Sequence, residues 1–246
     1  MNKTVTVIIP STGNPLCKHS ILSVLNQSYT YTRCLVVCDG SKFYSKSIKV
    51  LSDCLKDSSS FSDRVDFVAL KDNTGYHRYG GNRIYACFAT MIESDFIMFL
   101  DEDNWLDSEH IAHNVSTMVN NNHDWCYSLR KIYSKDGTFI CDDNCLSIGE
   151  WGTYDLSIQP TYIDANCYFY SKDTVAKITK QWQSPQADIL TYRALNALNL
   201  SYGCTKQYTL NYRLDGNPIS LKDDHFIEGN ALMLKKYPTG DYPWLR

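Results

Sequence analysis

The run Val5 to Ile9 is continuously apolar, rich in β-branched residues and closed by Pro10. A continuous run, rather than an alternating one, predicts a strand covered on both faces. Asn14 and Pro15 predict an N-cap and a first helical residue, with Ile21, Val24 and Leu25 sharing one helix face. Cys34 to Cys38 repeats the buried-strand pattern and stops at Asp39-Gly40-Ser41. Ile48, Leu51 and Leu55 predict a second helix, and Val65 to Leu70 a third strand. Ile84, Cys87, Phe88, Met91 and Ile92 recur at helical spacing. Phe96 to Leu100 predicts a fourth strand, ending at Asp101-Glu102-Asp103, and Ile111, Val115, Met118 and Val119 mark a further helix.

Strands alternating with helices imply an α/β fold with a mostly parallel sheet. After about Trp125 the rhythm changes. Short aromatic-rich runs at Trp125–Leu129, Thr138–Cys141 and Tyr168–Tyr170 predict antiparallel or edge strands. Helices are expected over Lys172–Lys180 and Gln186–Leu198, with another around Leu232–Leu234. Nothing in the sequence reads as a linker, so residues 1–246 are expected to form one domain with unequal halves, about 1–120 and 121–246.

Composition narrows the function classes. Hydrophobic residues make up 43% of the chain and charged ones 21%, which supports a sizeable core. The net charge of -3 gives no general attraction to nucleic acid or to an acidic membrane. The Met1–Thr4 segment enters the strand pattern with no signal-peptide core, and no apolar stretch approaches a membrane span. A cytoplasmic protein with reduced thiols is expected. Cys34, Cys38, Cys87, Cys126 and Cys167 read as small buried hydrophobes, and Cys141–Cys145 as a polar loop.

In open α/β sheets, ligands bind beyond the carboxyl ends of the strands. Ser11-Thr12-Gly13, Asp39-Gly40-Ser41 and Asp101-Glu102-Asp103 all fall at such ends. Asp101 and Asp103 concentrate negative charge there, which a cation would compensate. Oxygen ligands of this kind suit Mg²⁺ or Mn²⁺, and such an ion could bridge a diphosphate. The plain alternative for Asp101–Asp103 is an acidic turn capping the next helix, and for Asp39 an ordinary turn residue before glycine.

Taken in order, these segments resemble the family-two glycosyltransferases of GT-A fold. Val5–Pro10 with Ser20–Tyr29 is similar to their first strand and helix, and Val36–Ser41 to their nucleoside-binding turn. Asp72–Gly75 with Gly81-Asn82-Arg83 resembles the segment before their metal strand, and Phe99–Asp103 their DXD motif. The resemblance covers roughly residues 1–120. It implies a nucleotide-sugar donor, with UDP favoured by an Asp39 that accepts from a uracil N–H. It implies nucleotide contacts from Thr12, Asp39, Asp72, Arg83 and Asp101. Asp101 and Asp103 would be metal ligands, and Asp215 would stand where the family often has a metal-binding His. His225 is a second candidate for that place. Cys38 and Ala187 stand where the family often has acidic residues, and Asn82-Arg83 reverses the family's usual order.

Ser184 and Pro185 predict a helix start that places Asp188 in the first turn. By resemblance Asp188 is the catalytic base of an inverting transfer to a carbohydrate or glycoconjugate acceptor. The helix dipole is expected to keep it ionised and a weak base. Trp151 and Trp105 are the aromatic candidates for stacking on acceptor sugar, with core packing as the alternative for each. No Gln-x-x-Arg-Trp segment of the processive members is present, so one sugar per encounter is expected. A nucleotidyltransferase is the first alternative, and Pro10–Asn14 lacks its glycine-rich basic turn. A GT-A-like binding protein without activity is the second, kept open by Cys38 and Ala187.

Overall fold

The computed structural model describes residues 2–56, 59–151, 161–214 and 221–246. Strands β1 (Val5–Ser11), β2 (Thr32–Cys38), β3 (Val65–Ala69) and β4 (Phe96–Phe99) are parallel and lie in the order β3-β2-β1-β4. Every residue of β1 is buried, as the unbroken apolar run requires of a central parallel strand. Helices α1 (Cys17–Leu25), α2 (Tyr44–Lys56) and α3 (Asn82–Met91) connect these strands. Helix α1 begins later than the sequence predicts. Asn14 instead closes the turn before it, accepting from the Leu16 N–H at 3.0 Å.

A two-residue strand β5 (Trp105–Leu106) and helix α4 (His110–Asn121) follow. The second half adds β6 (Trp125–Tyr133), β7 (Phe139–Asp142), β8 (Tyr168–Ser171), α5 (Lys172–Lys177), α6 (Ala187–Ala197), β9 (Tyr202–Arg213) and α7 (Asp223–Lys236). Strand β8 runs antiparallel to both β4 and β6, which joins the halves in one sheet of order β3-β2-β1-β4-β8-β6-β9-β5, with β7 on β6. Strand β9 has no counterpart in the expected pattern. Its chain is polar at Thr205, Lys206 and Gln207, and Lys206 has φ 61°, so the apolar run is broken where the β6–β9 register shifts.

One burial expectation fails. Cys87 is exposed because α3 turns Ile84, Tyr85 and Phe88 inward, leaving Cys87 and Met91 on the outer stripe. In α7 it is Phe226 and Met233 that are buried, while Leu232 and Leu234 face outward. All ten cysteines are free thiols. Among the described residues no helix is long and apolar enough to cross a membrane.

Behind the end of β4 the core is aromatic. Phe99 stacks on Tyr85 with centroids 4.3 Å apart and meets Trp182 edge-on at 4.9 Å. Tyr170 of β8 packs against it at 5.8 Å. These rings join α3, β4, β8 and the short turn at Gln181–Gln183. Replacing Phe99 with Ala removes the ring shared by all of them. Phe99→Ala is expected to lower the unfolding free energy by about 3–5 kcal/mol, measured by urea denaturation.

Candidate active site

The parallel register sets the site. Ser11 is level with Cys38, the Asp39 N–H donates to the Ser11 carbonyl at 2.9 Å, and the Leu100 N–H donates to the Ile8 carbonyl at 3.0 Å. The chain leaves β1, β2 and β4 at one rim, as expected, and the polar turns there line a cavity of about 560 Å³. Its walls include Ser11, Thr12, Asp39, Asn73, Gly75, Asp101, Glu102, Asp103, Tyr212 and Arg213.

Asp39 is 3% exposed and anchors the neighbouring loop. One oxygen accepts from the Thr74 N–H at 2.6 Å, and the other from the Gly75 N–H at 2.9 Å and the Asn73 side chain at 2.8 Å. Most of its roughly four acceptor positions are therefore filled from within the chain. Gly40 follows at φ 120°, a conformation side chains rarely adopt, and a Cβ there would stand 3.0 Å from the Asn73 nitrogen. At Gly75 a Cβ would stand 2.6 Å from the Gly80 carbonyl oxygen. Both glycines let this loop close over Asp39.

The middle residue of Asp101-Glu102-Asp103 ties β1 to β4. Glu102 accepts from the Ser11 hydroxyl at 2.9 Å, the Thr12 N–H at 3.0 Å, the Thr12 hydroxyl at 2.6 Å and the Asn14 N–H at 3.2 Å. Thr12, expected to meet the nucleotide, is thus held by a side chain that the motif reading passed over. Asp101 accepts from the Tyr85 hydroxyl at 2.7 Å and from Asn166 Nδ2 at 3.0 Å. Asn166 Oδ1 in turn accepts from the Asp101 N–H at 2.7 Å and from Asn104 Nδ2 at 3.0 Å. Burial raises the Asp101 carboxyl above the usual range, while the two hydrogen bonds pull it back down. Burial, then the Asp101 charge, pushes Tyr85 well up, so it stays a protonated donor.

Asp188 begins near the start of α6, but two expectations about it change. The N-cap is Gln186 with no side-chain bond, not Ser184, whose hydroxyl accepts from the Gln186 N–H at 3.2 Å. The carboxyl is also not held down by the helix start. Burial, then the charges of Asp164 and Asp101, push it well above the ordinary carboxylate range, against a weaker downward pull from Arg130. The Asp188 backbone carbonyl accepts from the Tyr168 hydroxyl at 3.4 Å, two residues after the Asn166 that grips Asp101. The short turn Ala165–Cys167 and the Tyr168 that follows it therefore contact both acidic residues, and Asp188 itself does not line the cavity.

The remaining expected residues fall elsewhere. Asp72 is exposed and does not line the cavity. Arg83 lies outside it too, with its guanidinium 3.6 Å from the Tyr79 ring centre and donating to the Thr74 carbonyl at 3.2 Å. It braces the Asn73–Gly81 loop from behind. Trp105 is packed against His19 at 4.9 Å and Tyr133 at 4.5 Å, with the Arg213 guanidinium over it. Trp151 is half-buried against the core and away from the cavity. Asp215 lies outside the described residues. His225 meets Phe226 edge-on at 5.4 Å in α7, and burial lowers its pKa. Among the described residues no group of three or more His, Cys, Asp or Glu is placed to hold a metal ion.

The family model "Glycosyl transferase family 2" matches residues 6–156. No curated protein matches the sequence. Among solved structures, S. aureus TarS 1-349 in complex with UDP superposes with a TM-score of 0.60 at 12% identity, covering 98% of this chain and 67% of that one. Full-length S. aureus TarS gives 0.58 at 12% identity, and the match spans 41% of its length. The mannosyltransferase PcManGT from Pyrobaculum calidifontis, in complex with GDP-Man and Mn²⁺, gives 0.57 at 10% identity, covering 82% of this chain and 54% of that one. These likenesses establish the GT-A fold.

Glu102 makes its own prediction. Glu102→Ala deprives the Thr12 and Asn14 N–H groups of their acceptor. It is expected to lower the unfolding free energy by about 1–2 kcal/mol in urea denaturation.

Proposed function

Because the chain belongs to glycosyl transferase family 2, we propose that it is an inverting, metal-dependent enzyme that moves one sugar from a nucleotide-diphosphate donor, a UDP-sugar, to a hydroxyl of a carbohydrate or glycoconjugate. The observation that carries this is the convergence of Asp39, Asp101 and Asp103 on one cavity of about 560 Å³, with Asp188 close enough for its charge to interact with that of Asp101. Residues 1–120 form the donor side and 121–246 the acceptor side. Such cavities commonly hold a bound small molecule. TarS with UDP and PcManGT with GDP-Man and Mn²⁺ support the donor and metal parts of the reading.

The donor set fits a hard divalent cation. Asp101 and Asp103 offer carboxylate oxygens at the cavity, and the hydrogen bonds on Asp101 come from neutral groups, Tyr85 and Asn166. Asp101 and Asp103 would hold Mn²⁺ or Mg²⁺, which when bound offsets the charge growing on a departing diphosphate. Arg213 lines the same wall and adds fixed positive charge there. Asp39 keeps room for one further donor, which suits the N–H of a uracil. Asp188 takes the proton of the acceptor hydroxyl as that oxygen bonds to the anomeric carbon and the bond to the diphosphate breaks. Attack opposite the leaving group inverts the centre. A raised pKa makes Asp188 a stronger base than an exposed carboxylate, though protonated over a wider acid range.

The test of the reading is hydrolysis of UDP-glucose, UDP-N-acetylglucosamine and GDP-mannose with Mn²⁺, with and without EDTA. Turnover of none of them, or turnover that EDTA leaves intact, counts against it. Asp103→Ala is expected to remove Mn²⁺-dependent UDP binding in calorimetry while the circular dichroism spectrum is kept. An unchanged affinity removes Asp103 from the metal site.

Asp188→Asn is expected to lower kcat about a hundredfold or more with donor affinity little changed. The sign of the pH effect follows from the base role. The ionised form grows as pH rises, so kcat should climb along an acid limb lying above the ordinary Asp value of about 3.9. That limb should vanish in Asp188→Asn.

A further inference from the structure

One buried group outside the cavity remains unexplained by the chemistry above. Arg130 sits in β6 at 2% exposure, a costly place for a cation. Its Nε donates to Asp143 at 2.8 Å and its Nη1 to Asp164 at 2.6 Å. Only the fixed fork of a guanidinium meets two carboxylates this way. Each carboxylate then organises backbone. Asp143 accepts from the Cys145, Leu146 and Ser147 N–H groups at 3.1, 2.9 and 3.2 Å. Asp164 accepts from the Asn166 N–H at 2.9 Å, and its own N–H donates to the Ser147 hydroxyl at 2.9 Å. Arg130 thereby ties the chain at Asp143–Ser147 to the chain at Asp164. The guanidinium also lies 4.5 Å from the ring centre of Tyr212, which lines the cavity.

We propose that Arg130 is a positioning residue for sugar transfer, acting through Asp164 on the chain from Ala165 to Tyr168, which contacts Asp101 and Asp188. The proposal rests on the reading of Asp188 as the base. An ion pair this buried is weak evidence of stabilisation, since apolar residues fill such space as well or better. What it supplies is direction. Asp164 orients the turn from one side, so that the Asn166 side chain meets Asp101 and the Tyr168 hydroxyl beyond it meets the Asp188 carbonyl. A base displaced by about 1 Å can lose about a hundredfold in rate.

Arg130→Lys keeps the charge but not the fork, and Asp164→Asn keeps the shape but not the charge. For each, UDP affinity with Mn²⁺ is measured by calorimetry. The kcat is measured for whichever of UDP-glucose, UDP-N-acetylglucosamine and GDP-mannose the unmodified protein hydrolyses fastest. The expected result is a kcat lower by about thirtyfold or more, with a much smaller loss of UDP affinity because Asp101 keeps its Tyr85 donor. An unchanged kcat, or a loss of UDP affinity parallel to that of kcat, overturns the proposal. Ser147→Ala removes only the hydroxyl beneath the Asp164 N–H and decides the matter if the other two variants do not fold. A severalfold lower kcat in it supports the positioning role, and an unchanged one overturns it. Asp188→Asn in the same assay separates the two readings: normal turnover there defeats the base assignment itself, whatever Arg130 does.

Discussion

The end of β4 carries a carboxylate into the protein interior, and the surrounding structure answers that charge. Asp101 follows a strand with no exposed residue and is met by a tyrosine hydroxyl and an amide rather than by a cationic side chain. Neutral donors stabilise the anion without cancelling it. The aromatic core keeps the Tyr85 donor in place, because the ring below its hydroxyl is stacked on Phe99 and edge-on to Trp182. Core packing and site electrostatics are thus one arrangement. The rings that stabilise the sheet also fix the direction of a hydrogen bond at its rim.

The same logic extends into the second half through Asn166. Its amide is buried and fully directional, with the oxygen toward the Asp101 and Asn104 donors and the nitrogen toward the Asp101 carboxylate. Asn104 in turn accepts from the Arg213 N–H at 2.9 Å at the end of β9. Three separate strand ends are therefore referenced to one side chain. The halves of the sheet meet at the antiparallel β4–β8 pair, and this polar junction lies where β4 and β8 come together.

Much of the first half was legible because parallel strands buried on both faces leave continuous apolar runs. Val5–Ser11, Thr32–Cys38 and Phe96–Phe99 follow those runs, and their register alone brings Ser11, Asp39 and Asp101 to one rim. Order within the rim was not legible. That Glu102 binds Thr12 and Asn14, and that Asp39 holds Asn73 to Gly75, depends on pairings 34 to 90 residues apart. No local pattern encodes such pairings. The second half hid more. Its expected strand ended at Leu129 because a charged residue follows, yet β6 continues through Arg130 to Tyr133. The compensating carboxylates lie 13 and 34 residues away. Asn166 gave only the weak signal of a small polar residue before an aromatic strand.

At Asp188 a sound local rule loses to its surroundings. A helix N-terminus favours an anion by fractions of a kcal/mol when solvent-exposed. Burial beside other carboxylates acts in the opposite direction and is the larger effect here. Asp143, which is fully buried, shows the reverse outcome. The Arg130 fork and several N–H donors hold its carboxyl below the usual range. Two aspartates on either side of one arginine network are therefore pushed apart in acidity by their partners. Asp143 has the guanidinium in direct contact, whereas at Asp188 the charges of Asp164 and Asp101 outweigh the pull of Arg130. Divergence of this kind is how a fold assigns a fixed structural anion and a proton acceptor to the same residue type.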